Sequence, residues 1–97
     1  MQFPLGAVYD ARHRRLFVTD EAADIVYVVD PATLAVRRRL NTCRTPWRPH
    51  IDGDRLFVPC ARDAKVDVFA VSTLRRVRGA PFVTGGTPLG VATFSGE

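Results

Sequence analysis

The sequence has 97 residues, of which 46% are hydrophobic and 25% are charged, and its formal net charge is +4. This composition excludes a disordered chain, and no apolar run approaches the roughly 18 residues that a membrane-spanning helix needs. The first residues lack the charged and apolar regions of a secretion signal. The compartment therefore stays open, because a longer parent protein could still be exported.

Short runs rich in β-branched and aromatic residues, separated by Gly, Pro, Asp and Asn, predict strands rather than helices throughout the chain. In the first half of the chain, which we call the first unit, we expect strands at Leu5–Asp10, Arg15–Thr19, Ile25–Asp30 and Leu34–Leu40. In the second unit we expect them at Trp47–Ile51, Arg55–Val58, Lys65–Ala70 and Leu74–Arg78. A ninth strand is expected at Leu89–Phe94. The turn residues between successive strands predict antiparallel hairpins.

The chain also repeats itself. Pro4, Pro46 and Pro88 begin similar stretches at a constant spacing of 42 residues, and Leu16-Phe17-Val18 recurs as Leu56-Phe57-Val58. Four short antiparallel strands in a repeat of about 40 to 45 residues are typical of a β-propeller blade. The predicted fold is therefore all-β, a partial β-propeller over residues 1–97. Blade 1 is expected at about 4–41, blade 2 at about 46–84, and the first strand of a third blade at 88–94.

In the first unit, Phe17-Val18-Thr19-Asp20 is followed by a short polar loop and a Val-rich strand that ends at Asp30. This arrangement resembles the YVTN-type propeller repeat, and the NHL-type repeat is similar in the same region. The second unit departs from the pattern, because Pro59-Cys60 stands in place of Thr19-Asp20. The resemblance covers nearly the whole chain and implies a propeller fold. It implies no particular activity, because propellers serve in binding, scaffolding and catalysis.

The resemblance also implies that the loops at one end of the blades form a ligand face. These loops are Asp20–Asp24, Asn41–Pro49 and Cys60–Lys65. Guanidinium groups and an aromatic ring on this face would suit an anionic or aromatic ligand. The candidate ligand-binding residues are Arg44, Trp47, Arg48, His50 and Arg62. In the alternative interpretation, Trp47 packs between blades and the arginines are only solvated.

Cys43 and Cys60 lie on two loops of this face, and three states are open for them. A disulfide would close a loop of about 17 residues and is expected if the protein is exported. In a cytosolic protein both would be free thiols. A metal site that also used His50 would need one more ligand, which the spacing does not supply, so we expect no metal.

The remaining polar residues predict neither a catalytic site nor a cofactor. His13 and His50 have no nucleophile motif near them, and Gly85–Gly90 lacks the Lys of a phosphate-binding loop. The acidic loop Asp20–Asp24 lacks the ligand spacing of a calcium loop, and we expect it to be solvated.

Arginine supplies nearly all of the positive charge, and nine of the 13 arginines form three bursts at residues 12–15, 37–39 and 75–78. The bursts could form a basic rim for a polyanion, or they could be solvated charges that keep edge strands from pairing with other chains. Aromatic residues are not interleaved among them, as they are in proteins that bind single strands. We therefore do not expect nucleic acid as a partner.

The sequence thus predicts a binding or scaffold module without catalysis of its own. Two blades leave an apolar face on each side, so the expected partners are further blades, from the same parent chain or from other copies. A repeated first strand at Leu89–Phe94 favours a piece of a longer chain. The alternative is a fragment of a propeller enzyme, lactonase-like or an oxidoreductase. Its active site would lie at the channel, with His50 as the candidate residue.

Overall fold

A computed structural model of the protein describes residues 1–84. The described residues form eight strands in two separate antiparallel sheets and no helix, which confirms the all-β fold. The ninth strand expected at Leu89–Phe94 lies outside the described residues. Each sheet is a four-stranded meander, the arrangement of a propeller blade.

Blade 1 has the strand order β1-β2-β3-β4. Its strands are β1 (Pro4–Asp10), β2 (Arg15–Asp20), β3 (Ile25–Val29) and β4 (Val36–Asn41). The carboxylates of Asp10 and Asp30 accept backbone N–H bonds inside the β1–β2 and β3–β4 turns. This bonding stabilises a tight turn, which explains why Asp stands at the start of each.

Blade 2 has the order β5-β6-β7-β8. Its strands are β5 (His50–Asp52), β6 (Arg55–Cys60), β7 (Lys65–Ala70) and β8 (Phe82–Val83). The first strands of the two blades, β1 and β5, contact each other. The two sheets therefore meet at their first strands, and they share one core.

The prediction of a fourth strand at Leu74–Arg78 was wrong, because β8 is formed by Phe82–Val83. After β7 the chain makes only one isolated bridge to that strand, through Arg76. Gly79 then takes a φ of 89°, and Pro81 has no N–H to donate to a ladder hydrogen bond. Regular pairing with β7 therefore resumes only after Pro81.

The first strand of blade 2 also begins later than predicted, at His50 rather than Trp47. Pro49 cannot donate a ladder hydrogen bond. The chain pairs instead with the end of β6, where the N–H of Trp47 donates to the carbonyl of Pro59 at 2.7 Å. The residues before β5 are thus held against β6.

The main core lies between the two blades. Alternate residues of a strand point to opposite faces of its sheet. Each blade has two faces. We call the face that points toward the next blade along the chain the following face, and the face that points toward the previous blade the preceding face. The following face of blade 1 therefore packs against the preceding face of blade 2. The following face of blade 1 contributes Val8, Phe17, Val26, Val28 and Leu40. The preceding face of blade 2 contributes Ile51, Leu56, Val58, Cys60 and Phe69.

One carboxylate is buried at this contact. Asp67 of β7 has no exposed surface, and Arg76 donates Nε and Nη2 to its two oxygens at 2.8 and 2.9 Å. Arg76 also donates to the carbonyl of Asn41 in blade 1 at 2.5 Å. The buried charge is therefore fully paired, and its partner joins β4 to blade 2.

Candidate ligand-binding end of the blades

Three loops meet at one end of the blades: the β2–β3 loop, the β4–β5 connection and the β6–β7 loop. The N–H of Thr42 donates to the carbonyl of Asp24 at 3.0 Å, and the N–H of Ala61 donates to the carbonyl of Thr45 at 3.0 Å. The Asp24 carboxylate accepts a further bond from the N–H of Thr45 at 2.9 Å. The loops that the sequence assigns to the ligand face therefore contact one another. We call this region the loop end.

Both blades attach the segment that precedes their first strand in the same way. In blade 1 the N–H of Glu21 donates to the carbonyl of Phe3 at 3.0 Å. In blade 2 the equivalent bond runs from Ala61 to Thr45. Glu21 and Ala61 are the residues directly after β2 and β6. The repeat thus preserves a backbone contact that fixes each loop independently of its side chains.

In blade 1 this attachment also depends on the carboxylate of Asp20, the last residue of β2, which is fully buried. It accepts hydrogen bonds of 2.6 to 3.1 Å from four backbone N–H groups, those of Gln2, Phe3, Ala22 and Ala23. The hydroxyl of Tyr27 donates a fifth at 3.2 Å. Burial by itself raises the pKa of Asp20, but these hydrogen bonds favour the charged form and lower the pKa below its ordinary value.

We expect the Asp20→Asn variant to lose less stability in acid than the wild type. The ordinary pKa of this carboxyl is 3.8, and its folded pKa is lower. Its contribution to stability is therefore fully present above the ordinary value and is lost as the pH falls through the folded value. Urea unfolding at a series of pH values, from neutral to strongly acid, measures the difference. Asp52→Asn, at an exposed carboxylate, is the matched control. Parallel profiles for Asp20→Asn and the wild type would contradict this role.

In blade 2 the position equivalent to Asp20 is Cys60, and it is bonded to Cys43 of the β4–β5 connection. The two Cα atoms are 5.7 Å apart, and Cys60 is fully buried. Blade 2 thus has a disulfide at the position where blade 1 has a buried carboxylate. Both interactions hold the segment that precedes the first strand against the end of the second strand of the same blade.

Arg44 is attached to the β6–β7 loop through Asp63. Its Nε donates to Oδ1 of Asp63 at 2.8 Å, and its backbone N–H donates to Oδ2 at 2.7 Å. The backbone hydrogen bond, followed by the guanidinium, lowers the pKa of Asp63 below its ordinary value despite partial desolvation. The side chain of Arg44 is still 64% exposed. Arg44 therefore holds two loops together while part of its guanidinium faces solvent.

The other four candidates lie along the connection, β5 and the β6–β7 loop. Trp47 is half-buried beside β6, whereas Arg48, His50 and Arg62 are exposed. None of these three exposed side chains makes a hydrogen bond or ion pair within residues 1–84. The loop end thus presents two unengaged guanidinium groups and one imidazole on a backbone fixed by the contacts above.

Gly6 sets the position of Arg48 relative to β1. A Cβ atom at Gly6 would lie 3.1 Å from the Cα of Arg48 and 3.1 Å from the Cδ of Pro49. These neighbours are backbone and ring atoms that cannot turn aside. Glycine at this position therefore allows β1 to approach the β4–β5 connection closely.

Within residues 1–84, no group of three or more His, Cys, Asp and Glu side chains could hold a metal ion. None of the described residues forms a helix long and apolar enough to cross a membrane.

Sequence reasoning missed the residues that organise the loop end. The sequence predicts a solvated acidic loop at Asp20–Asp24, but Asp20 is fully buried. A signal was present, because an Asp followed by small residues at the end of a strand commonly accepts N–H bonds from two and three residues ahead. The interaction of Asp63 with Arg44 had no comparable signal, because it depends on the contact between two distant loops.

No protein-family model matches the sequence, and no curated protein matches it. Several solved structures of propeller-like proteins are similar to this chain, and each similarity covers 90% of its residues. Hydrazine synthase of Kuenenia stuttgartiensis is 21% identical with a TM-score of 0.78, and AztD of Citrobacter koseri in its apo form is 14% identical with a TM-score of 0.75. Sqt1 of Saccharomyces cerevisiae is 18% identical with a TM-score of 0.73.

The chain spans about a quarter of the length of these structures, between 22% and 25% of each. At these identities the similarity shows the fold alone. The protein is therefore built from blades of the β-propeller type, and the comparisons leave open whether the chain binds or catalyses.

Proposed function

We propose that the chain is a two-blade segment of a β-propeller that serves as a binding or scaffold module. Further blades, from the same parent chain or from other copies, would cover its two outer faces. One observation carries this proposal: each outer face has apolar side chains at repeat positions whose counterparts are buried between the two blades.

The outer face of blade 1 is equivalent to the buried preceding face of blade 2. Leu16 and Val18 occupy the positions of Leu56 and Val58 in the repeat. Leu56 and Val58 are fully buried against blade 1, whereas Leu16 and Val18 are only partly buried. Blade 1 therefore presents a preceding face without a partner among the described residues.

The outer face of blade 2 is equivalent to the buried following face of blade 1. Phe57 occupies the position of Phe17, which has no exposed surface. Val77 and Ala80 cover part of this outer face by packing on β7, but Phe57 is only partly buried. The chain thus presents one following face and one preceding face, which is the requirement for head-to-tail association.

The loop end supports a binding role. Arg48, His50 and Arg62 are exposed and unengaged within residues 1–84, and the backbone around them is fixed by the disulfide, the Arg44–Asp63 pair and Asp24. Fixed guanidinium groups bind anionic groups at a low entropic cost. We propose an anionic ligand at this end, with no catalysis by the chain itself. The YVTN-type or NHL-type character of the repeat belongs to this proposal too.

The solution mass of the isolated chain tests the proposal. Light scattering over a wide range of concentration should show association, because each outer face leaves apolar side chains only partly buried. A trimer or tetramer would indicate a ring made from copies, and an open-ended or polydisperse mass would indicate blades that belong to one parent chain. A folded chain that stays monomeric at every concentration would contradict the proposal.

A second function, as part of a propeller enzyme, is favoured by one observation. His50 is exposed on β5, the first strand of blade 2, with no partner within residues 1–84. An accessible imidazole at such a position could act as a general base or acid. Replacing His50 with Ala in the full-length parent protein, and finding turnover unchanged, would exclude this role.

A further inference from the structure

A groove lined by arginines lies at the end of the blades opposite the loop end. Two cavities of about 630 and about 320 Å³ both have His13, Arg14 and Asp30 in their walls. The smaller one, which we call the hairpin groove, is also lined by Arg15, Arg37, Arg38 and by Leu74 of blade 2. Both blades therefore contribute to the hairpin groove within residues 1–84, blade 2 through Leu74.

Two of its four guanidinium groups are held by protein acceptors. Arg37 donates to the carboxylate of Asp30 at 3.1 Å, and that carboxylate also accepts the N–H of Ala32 at 2.9 Å. Arg15 donates to the carbonyls of Val71 and Ser72 in blade 2. These contacts fix the side chains of Arg15 and Arg37 in the wall of the groove. The Asp30 carboxylate in that wall is therefore already engaged.

The other two guanidinium groups, those of Arg14 and Arg38, make no side-chain hydrogen bond or ion pair within residues 1–84. Arg14 is positioned by the β1–β2 turn, where its φ is 54°. Arg38 is paired with Val28 in the β3–β4 ladder. The nearby carboxylate of Asp10 is engaged by the ring of His13 at 2.7 Å. The lining thus has four guanidinium groups and one carboxylate, while the carboxylates of Asp10 and Asp54, outside the lining, interact with His13.

We propose that the hairpin groove binds a phosphate monoester, with Arg14 and Arg38 as the donors to its phosphate oxygens. The paired N–H groups of a guanidinium match the oxygen spacing of a phosphate group and bind it in a bidentate manner. Leu74 and Val28, which belong to the core, form the apolar part of the lining beside these arginines, where the ester group would lie. This site is separate from the loop end and does not depend on the function proposed above.

The dimensions of the groove favour a small ester over a nucleic acid. A volume of about 320 Å³ is at the lower end of the range for small-molecule sites. No Phe, Tyr or Trp lines the hairpin groove, and the larger cavity beside it has a single aromatic ring, that of Tyr9, whereas proteins that bind single strands stack successive bases on several such rings. The favoured ligand is therefore a single phosphate group with a short organic substituent.

Titration of the isotopically labelled chain with phenyl phosphate, followed by amide NMR signals, tests this site. Signals of the β1–β2 and β3–β4 turns should shift in a saturable way. The double variant Arg14→Gln with Arg38→Gln should bind about tenfold more weakly or worse. Arg12→Gln removes one charge from the same turn at an exposed residue outside the groove, so it is the charge-matched control for the single variants Arg14→Gln and Arg38→Gln, and it should change the affinity less than about twofold.

Three results would overturn the proposal: no saturable shift with phenyl phosphate, an equal loss of affinity in Arg12→Gln, or binding of a single-stranded oligonucleotide without binding of phenyl phosphate. The same spectra show whether each variant is folded. If the double variant is unfolded, the single variants Arg14→Gln and Arg38→Gln decide, because each should still bind more weakly than Arg12→Gln.

Discussion

Replacing Phe17 with Ala should lower the free energy of unfolding by about 4 kcal/mol, because a fully buried phenyl ring is lost from the core. The equivalent replacement, Phe57→Ala, should cost about 2 kcal/mol or less, because Phe57 is only partly buried on the outer face of blade 2. Both variants make the same chemical change at equivalent positions of the repeat. The difference between their losses in free energy of unfolding therefore shows which face is packed against a neighbouring blade.

Urea unfolding of the two variants and the wild type, followed by circular dichroism, measures this difference. A loss of about 4 kcal/mol is most of the stability of a small marginal domain, so Phe17→Ala should be partly unfolded even without denaturant. Equal losses in the two variants would contradict the assignment of the following face of blade 1 as the main core.

Removal of the Cys43–Cys60 disulfide should cost about 3 kcal/mol, because the unfolded chain then regains the freedom of a loop of 17 residues. The variant for this test is Cys43→Ala with Cys60→Ala, since a single replacement leaves a free thiol. Cys60 is fully buried, so the double variant also loses some packing. Comparison with the reduced wild type separates the covalent contribution from that loss.

Chemical denaturation of the oxidised, reduced and double-variant proteins measures both contributions. In the oxidised protein neither cysteine should react with an alkylating reagent after unfolding. Alkylation of both cysteines in unfolded protein that has never been reduced would show that the bond does not form. Oxidised and reduced proteins of equal stability would show that it does not fix the loop end.

The number and order of most strands could be predicted from the sequence, because they depend on local alternation and on turn residues. Lys65–Ala70 was predicted with its bounds as observed, since it contains Val66, Val68 and Phe69 and turns flank it. The position of β8 could not be predicted in this way. It depends on Arg76 turning toward the buried Asp67, a tertiary contact, and on the bend at Gly79 and Pro81.

The loop end could be predicted only in outline. The repeat indicates which loops lie at the same end, and the structure brings these loops into contact. The sequence does not show that Asp20 is buried or that Arg44 is attached to Asp63, because both follow from the approach of chain segments well separated in sequence. The hairpin groove was missed for the same reason, since Arg14 and Arg38 are 24 residues apart and come together only through the sheet.

We propose that the chain carries one free preceding face and one free following face that fit each other. A mixing experiment tests it with Val18→Lys, which blocks the outer face of blade 1, and Phe57→Lys, which blocks the outer face of blade 2. Thr33→Lys, in the exposed β3–β4 turn, is the charge-matched control and should associate like the wild type.

Each blocked variant keeps one intact outer face, and the two intact faces are complementary. By light scattering, each variant alone should be a monomer of 10.8 kDa, and an equimolar mixture should form a one-to-one dimer of twice that mass. The dimer would also show that both variants are folded. A mixture that stays monomeric while Thr33→Lys associates, or variants that associate alone as the wild type does, would contradict the claim.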